Sequence, residues 1–408
     1  MIKKILISLM IVTLTAFIMF VLLCVYAYNR IDDAETQYRI GYAASNGSQQ
    51  DDEEALYWYG KSAIQGNPKA QVALGYYYEN GKVVSTNYIK AVYWYMEAAE
   101  QGDVIAQFNL GLCYQKGIGI HQDYQQAANW YLKAAEQGNA AAQNNLGVLY
   151  QNGEGVTQDY TQATYWYIKS AEQGDATAQN NLGACYQNGI GLSVDYNKAV
   201  YWYLKSAKQG YSVAQFNLGA CYQYGTGVTK DYSRAVYWYS ESAEQGDAAA
   251  QNNLGWCYRN GVGVQMDQEK AVSWYMKSAE QGLPGAQMYI GCCYEYGDGV
   301  PQDYAQAISW FRKAAEQGDD KFAYREITYC YVAQNDFINA HKSIDVLINR
   351  YPENPFWYDR KGEICIMEKD TVKAMEVWER ILQIDPEFAD KDTEFYRALF
   401  KDGTISIR

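Results

Sequence analysis

Small and apolar residues recur every three or four residues in short stretches that are separated by breaks. Within residues 103–115 they predict an amphipathic helix, which we call helix A: Ala106, Leu110, Gly111 and Tyr114. Asp103 stands before the first of them as a capping residue. The stretch is therefore expected to be one short helix with one apolar stripe.

A second stripe follows after a break at Gly117-Ile118-Gly119. Asp123 opens it, Gly138 closes it, and its members predict helix B: Tyr124, Ala127, Trp130, Tyr131 and Ala134. The small residues permit close approach of two helices, and the aromatic residues fill the space between layers. The unit is expected to be an antiparallel helix pair.

This unit repeats at a constant period. Glycines stand 36 residues apart, at positions 66, 102, 138, 174, 210, 246, 282 and 318. A fixed period of this size is typical of stacked repeats, in which no unit can bury its apolar face alone. The pattern predicts an all-α solenoid.

The repeated motif resembles a known family. A-Q-x-x-L-G-x-x-Y-x-x-G-x-G, followed by D-Y-x-x-A-x-x-W-Y-x-K-A-A-E-Q-G, is similar to the Sel1-like repeat, a relative of the tetratricopeptide repeat. Seven full copies cover residues 66–317. The resemblance implies a right-handed superhelix of helix pairs that acts as an adaptor for other proteins.

The N-terminal residues 1–28 differ from the repeats. Lys3 and Lys4 precede an uncharged, mostly apolar run from Ile5 to Tyr28, long enough to cross a bilayer as a helix. Because positive charge favours the cytoplasmic side, we expect a membrane anchor with the repeats outside the cytoplasm, periplasmic or extracellular. A signal cleaved after Ala27, giving a secreted protein, and repeats that face the cytoplasm are the alternatives.

The ends of the repeat array are expected to be atypical, because one side of a terminal unit faces water. Residues 29–65 are interpreted as a divergent capping repeat. Residues 318–388 are interpreted as two units similar to tetratricopeptide repeats, 319–354 and 355–388, since Pro352 and Pro386 are 34 residues apart. Residues 389–408 are expected to form a closing helix, at about 390–401, and a tail.

Charge and cysteine content narrow the classes of partner and site. With 47 acidic and 34 basic residues the net charge is -13, which argues against nucleic acid and mildly favours basic partners. Five cysteines share one position of helix A in different copies and are expected to be buried thiols: Cys113, Cys185, Cys221, Cys257 and Cys293. Repeats stack too far apart for disulfides at that position.

No motif points to catalysis, a cofactor or a metal. The two histidines, His121 and His341, lie in no metal-ligand spacing, and His121 is expected in a solvated turn. Gly-x-Gly pairs such as Gly153 and Gly155 are interpreted as turns between helices. One aspartate opens each helix B and is expected to cap it: Asp123, Asp159, Asp195, Asp231, Asp267 and Asp303.

The variable positions of helix A carry the functional hypothesis. By the resemblance to tetratricopeptide units they should face a concave groove and offer apolar side chains to a peptide: Tyr76, Phe108, Leu112, Val148, Phe216, Trp256 and Met288. Beside them runs an asparagine row whose amides could hold an extended backbone: Asn109, Asn145, Asn181, Asn217 and Asn253. The alternative is that these amides bond within their own stack.

The leading hypothesis is a membrane-tethered, non-enzymatic scaffold that binds a protein or peptide in this groove. A second hypothesis is a cell-envelope glycan binder that stacks sugars on aromatic rings. A hydrolase acting on wall fragments or β-lactams is the third, although no spacing assembles a nucleophile, a base and an orienting group.

The topology leads to a testable expectation. Protease added to intact cells, or after an outer membrane has been opened, should digest the repeats, and the protein should keep its full-length size because the anchor is retained. Immunoblotting against the repeats provides the measurement. Protection until the inner membrane is lysed would contradict the topology and place the repeats in the cytoplasm.

Overall fold

The computed structural model describes residues 18–19, 32–45, 49–318 and 320–385. In these ranges the chain forms twenty helices and no strand, as the all-α repeat pattern predicted. The chain divides into two compact units, Met1–Ser206 and Ala207–Arg408. Odd-numbered helices below are helix A of a pair, and even-numbered helices are helix B.

The helices of the first unit are α1 (Ala34–Ala44), α2 (Gln49–Ile64), α3 (Pro68–Asn80), α4 (Tyr88–Glu100), α5 (Val104–Lys116), α6 (Tyr124–Glu136), α7 (Ala140–Asn152), α8 (Tyr160–Glu172), α9 (Ala176–Asn188) and α10 (Tyr196–Ala207), which ends at the boundary. Those of the second unit are α11 (Ser212–Tyr224), α12 (Tyr232–Glu244), α13 (Ala248–Asn260), α14 (Gln268–Glu280), α15 (Pro284–Tyr296), α16 (Tyr304–Glu316), α17 (Asp320–Ala333), α18 (Phe337–Arg350), α19 (Pro355–Met367) and α20 (Thr371–Ile384).

Side-chain capping marks where most of the helices begin; α11 and α15, which follow Tyr211 and Leu283, have no such cap. The carboxylate of Asp103 accepts a hydrogen bond from the amide of Ala106 at 2.9 Å, and that of Asp123 accepts one from Gln126 at 3.0 Å. The same bond forms at Asp159, Asp195, Asp231, Asp267 and Asp303. The prediction that these aspartates are caps is therefore confirmed.

The two terminal segments predicted from the sequence are not described by the structure. The anchor proposed for residues 1–28, apart from residues 18 and 19, and the closing helix at about 390–401 lie outside the described residues. Within the part of the chain that is described, no helix has both the length and the apolar character needed to span a bilayer.

A glycine of helix A packs directly on a tyrosine ring of helix B in each of the six pairs from α3 to α14. A Cβ atom on Gly111 would lie 2.6 Å from Cδ1 of Tyr131, which is fully buried. The equivalent contacts join Gly75 to Tyr95, Gly147 to Tyr167, Gly183 to Tyr203, Gly219 to Tyr239 and Gly255 to Tyr275. Only glycine leaves room for the ring, so this contact sets the spacing of the two helices.

Buried glutamines connect successive pairs. Gln107 donates from Nε2 to the carbonyl of Ala99 at the end of the preceding helix B (3.2 Å), and its Oε1 accepts from Gln137 at the end of its own helix B (2.8 Å). The same two bonds recur around Gln71, Gln143, Gln215, Gln251 and Gln287. Each of these carbonyls also accepts from the backbone amide of the following glycine, so the glutamine adds a second hydrogen bond at the helix end and ties it to the next repeat.

The hydroxyls of five buried tyrosines also bond a polar residue of helix A. Tyr131 donates to Gln115 at 2.7 Å and Tyr95 donates to Glu79 at 2.7 Å. Tyr167, Tyr203 and Tyr239 donate to Gln151, Gln187 and Gln223. Each of these rings therefore carries its hydroxyl into the core with a partner.

This pairing is lost in the last two matched repeats. In the first of them Arg259 takes the glutamine position, and the hydroxyl of Tyr275 has no hydrogen-bond partner among the described residues. In the second, Glu295 takes the glutamine position, Phe311 replaces the tyrosine, and Glu295 Oε2 has no hydrogen-bond partner. Burial, with the nearby Glu326 carboxylate as a second cause, raises the pKa of Glu295 to about 7. Tyr296 opposes the shift by hydrogen bonding to the Glu295 carboxylate. The repeat thus contains a poorly compensated carboxylate.

The five cysteines at the common position of helix A are buried and free, as predicted: Cys113, Cys185, Cys221, Cys257 and Cys293. Among the described cysteines Cys292, Cys330 and Cys365 are free as well. Burial raises the pKa of Cys185 to about 11, so this thiol is neutral and packs as an apolar group.

The glycine and tyrosine contact predicts opposite effects for two similar substitutions. Gly111→Ala should lower the free energy of unfolding by about 1 to 3 kcal/mol because its methyl group would overlap the Tyr131 ring. The control is Gly60→Ala inside α2, where an added Cβ meets no atom within 4 Å. That change should raise stability by up to about 1 kcal/mol through helix propensity. Urea unfolding measures both, and an equal loss in the two variants would contradict the packing argument.

Glu295 predicts a pH-dependent gain. A folded-state pKa above the unfolded value favours the neutral carboxyl, so its contribution is complete below pH ~4.5 and is lost as the pH rises through about 7. Glu295→Gln should therefore leave stability almost unchanged at pH 4 and raise it by up to about 3 kcal/mol at pH 8. Denaturant unfolding at both pH values measures this.

The control for that experiment is Glu244→Gln, which neutralises an exposed carboxylate in the same unit. It should show no such gain at either pH. If Glu295→Gln changes the free energy of unfolding by the same amount at pH 4 and at pH 8, the ionised carboxylate is not destabilised in the fold.

Candidate functional site

A surface pocket of about 370 Å³ lies in the second unit between three successive A helices. We call it the Trp256 pocket, and it is lined by Gln223, Tyr224, Lys230, Tyr232, Asn252, Asn253, Trp256 and Tyr289. The lining comes from α11, α13 and α15, with Lys230 and Tyr232 from the turn and the start of α12. Aromatic rings and amide groups thus meet at one place.

Packing fixes the aromatic walls of the Trp256 pocket. Trp256 is half-buried against the apolar cluster that includes Tyr275 and Ile290, and Tyr289 stacks on Tyr275 with ring centroids 5.0 Å apart. Tyr224, the last residue of α11, is 71% exposed. The pocket therefore combines fixed rings with one open tyrosine, which suits stacking or apolar contact with a ligand.

Lys230 supplies the positive charge of the Trp256 pocket. Its Nζ lies 4.6 Å from the centroid of the Tyr232 ring, and the lining contains no carboxylate. A carbonyl or carboxylate oxygen of a ligand could accept a hydrogen bond from this ammonium group. The lining also contains no histidine or cysteine, and its rings, amides and ammonium group can all contact a bound ligand.

A second pocket, of about 390 Å³, lies in the first unit. We call it the Tyr76 pocket, and it is lined by Tyr38, Tyr42, Ser45, Tyr59, Lys69, Val72, Ala73, Tyr76, Tyr77, Lys82, Ile105 and Asn109. Tyr76 is 53% exposed, while Lys82 is paired with Asp52 at 2.7 Å. Tyrosine rings dominate this lining, so its character is more apolar than that of the Trp256 pocket.

Four of the residues proposed from the sequence line these pockets: Asn253 and Trp256 in one, Tyr76 and Asn109 in the other. The remaining apolar ones are half-buried rather than exposed: Phe108, Leu112, Val148, Phe216 and Met288. Phe108 and Leu112 pack against the core formed by their own helix B and the next helix A. The expected row of exposed apolar groups is corrected accordingly, because these positions stabilise contacts between repeats.

The asparagine row is half-buried and is bonded within the stack at several positions. Asn145 Oδ1 accepts from Nδ2 of Asn144 at 3.3 Å, and Asn253 Oδ1 accepts from Nδ2 of Asn252 at 3.5 Å. Asn181 donates from Nδ2 to Oδ1 of Asn144 at 3.0 Å. Asn217 also has a partner within the protein. The amides at these positions are therefore partly used by the fold before any ligand binds.

The two histidines have different surroundings. His121 is exposed in a turn, as expected from the sequence. His341 is half-buried and lies beside Cys365 and Glu368, and ligand atoms of the three residues are all within 4.8 Å of one another. The sequence did not predict this group, because its residues come from two helices and are not related by any short spacing along the chain.

Comparison with known proteins follows the same repeat boundaries. The model of the Sel1 repeat matches eight consecutive segments: 34–67, 68–103, 104–139, 140–175, 176–211, 212–247, 248–283 and 284–319. The first of them, 34–67, overlaps most of the segment 29–65 that was interpreted above as a divergent repeat. No curated protein matches the chain.

Two solved structures are similar over most of the chain. A protective antigen of uropathogenic Escherichia coli strains, which displays an SLR fold, is 33% identical with a TM-score of 0.71, covering 87% of this chain and 78% of its own. A Sel1 repeat protein from Oxalobacter formigenes is 31% identical with a TM-score of 0.59, covering 73% of this chain and 88% of its own.

Proposed function

This chain belongs to the Sel1 repeat family, whose solenoids are typical of protein interaction scaffolds, and from that premise we propose that it is a non-enzymatic scaffold. Its ligand is a segment of another protein, bound in the Trp256 pocket. The Tyr76 pocket of the first unit is a further contact region for a protein ligand.

The observation that carries this proposal is the composition of the Trp256 pocket. Trp256 and Tyr224 offer ring faces to an apolar side chain, and the amide nitrogens of Asn252 and Gln223 can donate to peptide carbonyls. Lys230 adds a donor for a carbonyl or carboxylate oxygen. Together these groups match an extended peptide with one large apolar side chain.

The tether remains part of the proposal. The apolar run from Ile5 to Tyr28 and the preceding lysines support a membrane anchor with the repeats outside the cytoplasm. The net charge of -13 favours a basic partner over an acidic one.

A glycan is the second candidate ligand, and the same pocket favours it. Open tyrosine and tryptophan rings beside amides can stack on sugar rings and bond their hydroxyls. Soluble cell-wall fragments can be tested against the same variants, so the two ligand classes are separable.

Two exposed tyrosines at the same repeat position provide the test. Tyr224 lines the Trp256 pocket and Tyr296 does not, while the corresponding residues of other copies are Asn152, Asn188 and Asn260. Peptides selected from a displayed library on the wild-type chain should bind Tyr224→Asn at least about tenfold more weakly, because a ring contact is lost. Fluorescence anisotropy with a labelled peptide measures the affinity.

Tyr296→Asn is the matched control and should bind the peptide like the wild type. Trp256→Leu, which introduces the residue found at Leu112, should weaken binding by a similar factor to Tyr224→Asn. If Tyr224→Asn and Trp256→Leu bind the peptide as tightly as Tyr296→Asn and the wild type do, the Trp256 pocket is not the peptide site. Selective binding of wall fragments, lost in Tyr224→Asn, would favour the glycan.

A further inference from the structure

The geometry points to a transition-metal site, of the kind that binds Zn²⁺, formed by His341, Cys365 and Glu368. Its three donors are an imidazole nitrogen, a thiolate sulfur and a carboxylate oxygen. The site is independent of the Trp256 pocket and lies among the helices that follow the eight matched repeats.

The separation of the donor atoms suits a single ion. All three lie within 4.8 Å of one another, and His341 Nε2 is 2.7 Å from Glu368 Oε2. Donors around a tetrahedral zinc ion are roughly 3.4 to 3.6 Å apart, given metal bonds of about 2.0 to 2.3 Å. The donor atoms of His341 and Glu368 are closer together than this, so they would have to separate for both to contact one ion.

The fold holds these donors from two helices. His341 lies in the second turn of α18, while Cys365 is in the last turn of α19 and Glu368 caps that helix three residues later. Residues three apart share a helix face, so Cys365 and Glu368 point the same way. An ion bound to all three would connect two helix pairs of the second unit, 319–354 and 355–388.

One ring nitrogen of His341 is unpaired within the described part of the chain. Its Nδ1 is buried and has no hydrogen-bond partner, while its Nε2 lies 2.7 Å from Glu368 Oε2. A neutral imidazole carries one lone pair, and this is the form in which histidine coordinates a metal ion.

The charges around the site also permit a cation. Lys361 and Lys373 lie near Cys365, but Lys361 pairs with Asp345 at 2.7 Å and Lys373 pairs with Asp370 at 2.9 Å. Their charges are therefore largely compensated. The side chains of His341 and Glu368 are 20% and 24% exposed, which gives an ion a path from solvent to the buried sulfur.

The donor set defines the class of metal. Sulfur and imidazole donors disfavour Mg²⁺ and Ca²⁺, which prefer oxygen, whereas one sulfur, one nitrogen and one oxygen suit Zn²⁺ or Co²⁺. Three protein ligands leave a fourth position for water or for a side chain of a binding partner. Binding converts the Cys365 thiol to a thiolate, and the proton leaves to solvent.

Cobalt titration of the reduced, metal-free full chain tests the site. Co²⁺ alone should produce a thiolate-to-cobalt charge-transfer band at one equivalent, and Zn²⁺ should abolish the band by displacement. Cys365→Ser should remove the band. His341→Gln and Glu368→Gln should each weaken cobalt affinity by about tenfold or more.

Matched controls are His121→Gln, an exposed histidine, and Cys292→Ser, another thiol of the second unit that is not fully buried. Both should keep the band and the affinity. Far-ultraviolet circular dichroism verifies that each variant is folded. If Cys365→Ser does not fold, Glu368→Gln still tests the site, because it changes a partly exposed side chain. The absence of a thiolate band, its persistence in Cys365→Ser, or unchanged affinity in both His341→Gln and Glu368→Gln would show an ion pair without a metal.

Discussion

The buried glutamine of helix A is the interaction on which the stacking of repeats depends. Gln107 bonds a carbonyl at the end of the preceding helix B and the terminal glutamine, Gln137, of its own helix B. One side chain thus joins three helices. Each bond adds only about 1 kcal/mol, but loss of a partner would leave buried polar groups unpaired, so the bonds hold every repeat in the same register.

Constant register separates structural positions from positions that are free to vary. The glycine and tyrosine contact sets the distance between helices A and B, and the glutamine bonds set the offset between repeats. Residues that take part in neither differ from copy to copy, as Leu112 and Trp256 do at one repeat position. Trp256 and Tyr224 occupy such positions, and two neighbouring repeats bring them into one pocket. Glu295 and Phe311 show the converse, because a change inside the pairing leaves a buried carboxylate with a raised pKa.

The helices beyond the matched repeats follow different packing rules. They lack the double-glycine turn, and left-handed backbone at Asn335 and Lys369 closes their short connections. Lys369 directly follows Glu368, so this turn places the carboxylate at the end of α19 beside His341 of α18. Peptide binding and metal binding would therefore use separate parts of the second unit, and a metal ion would influence the ligand surface only through the helices between them.

The sequence by itself determined the helix pairs, their caps, the period and the buried cysteines, because these follow from hydrogen bonds and apolar spacing within one or two helical turns. It also proposed Trp256, which varies among the copies, and Asn253, which recurs, as groove residues, and both line one pocket. The tertiary structure decided which helix A positions are open: Phe108 and Leu112 are half-buried because the next repeat packs on them. It alone brought His341 to Cys365 and Glu368, since their distance depends on how two helices pack and not on any local spacing.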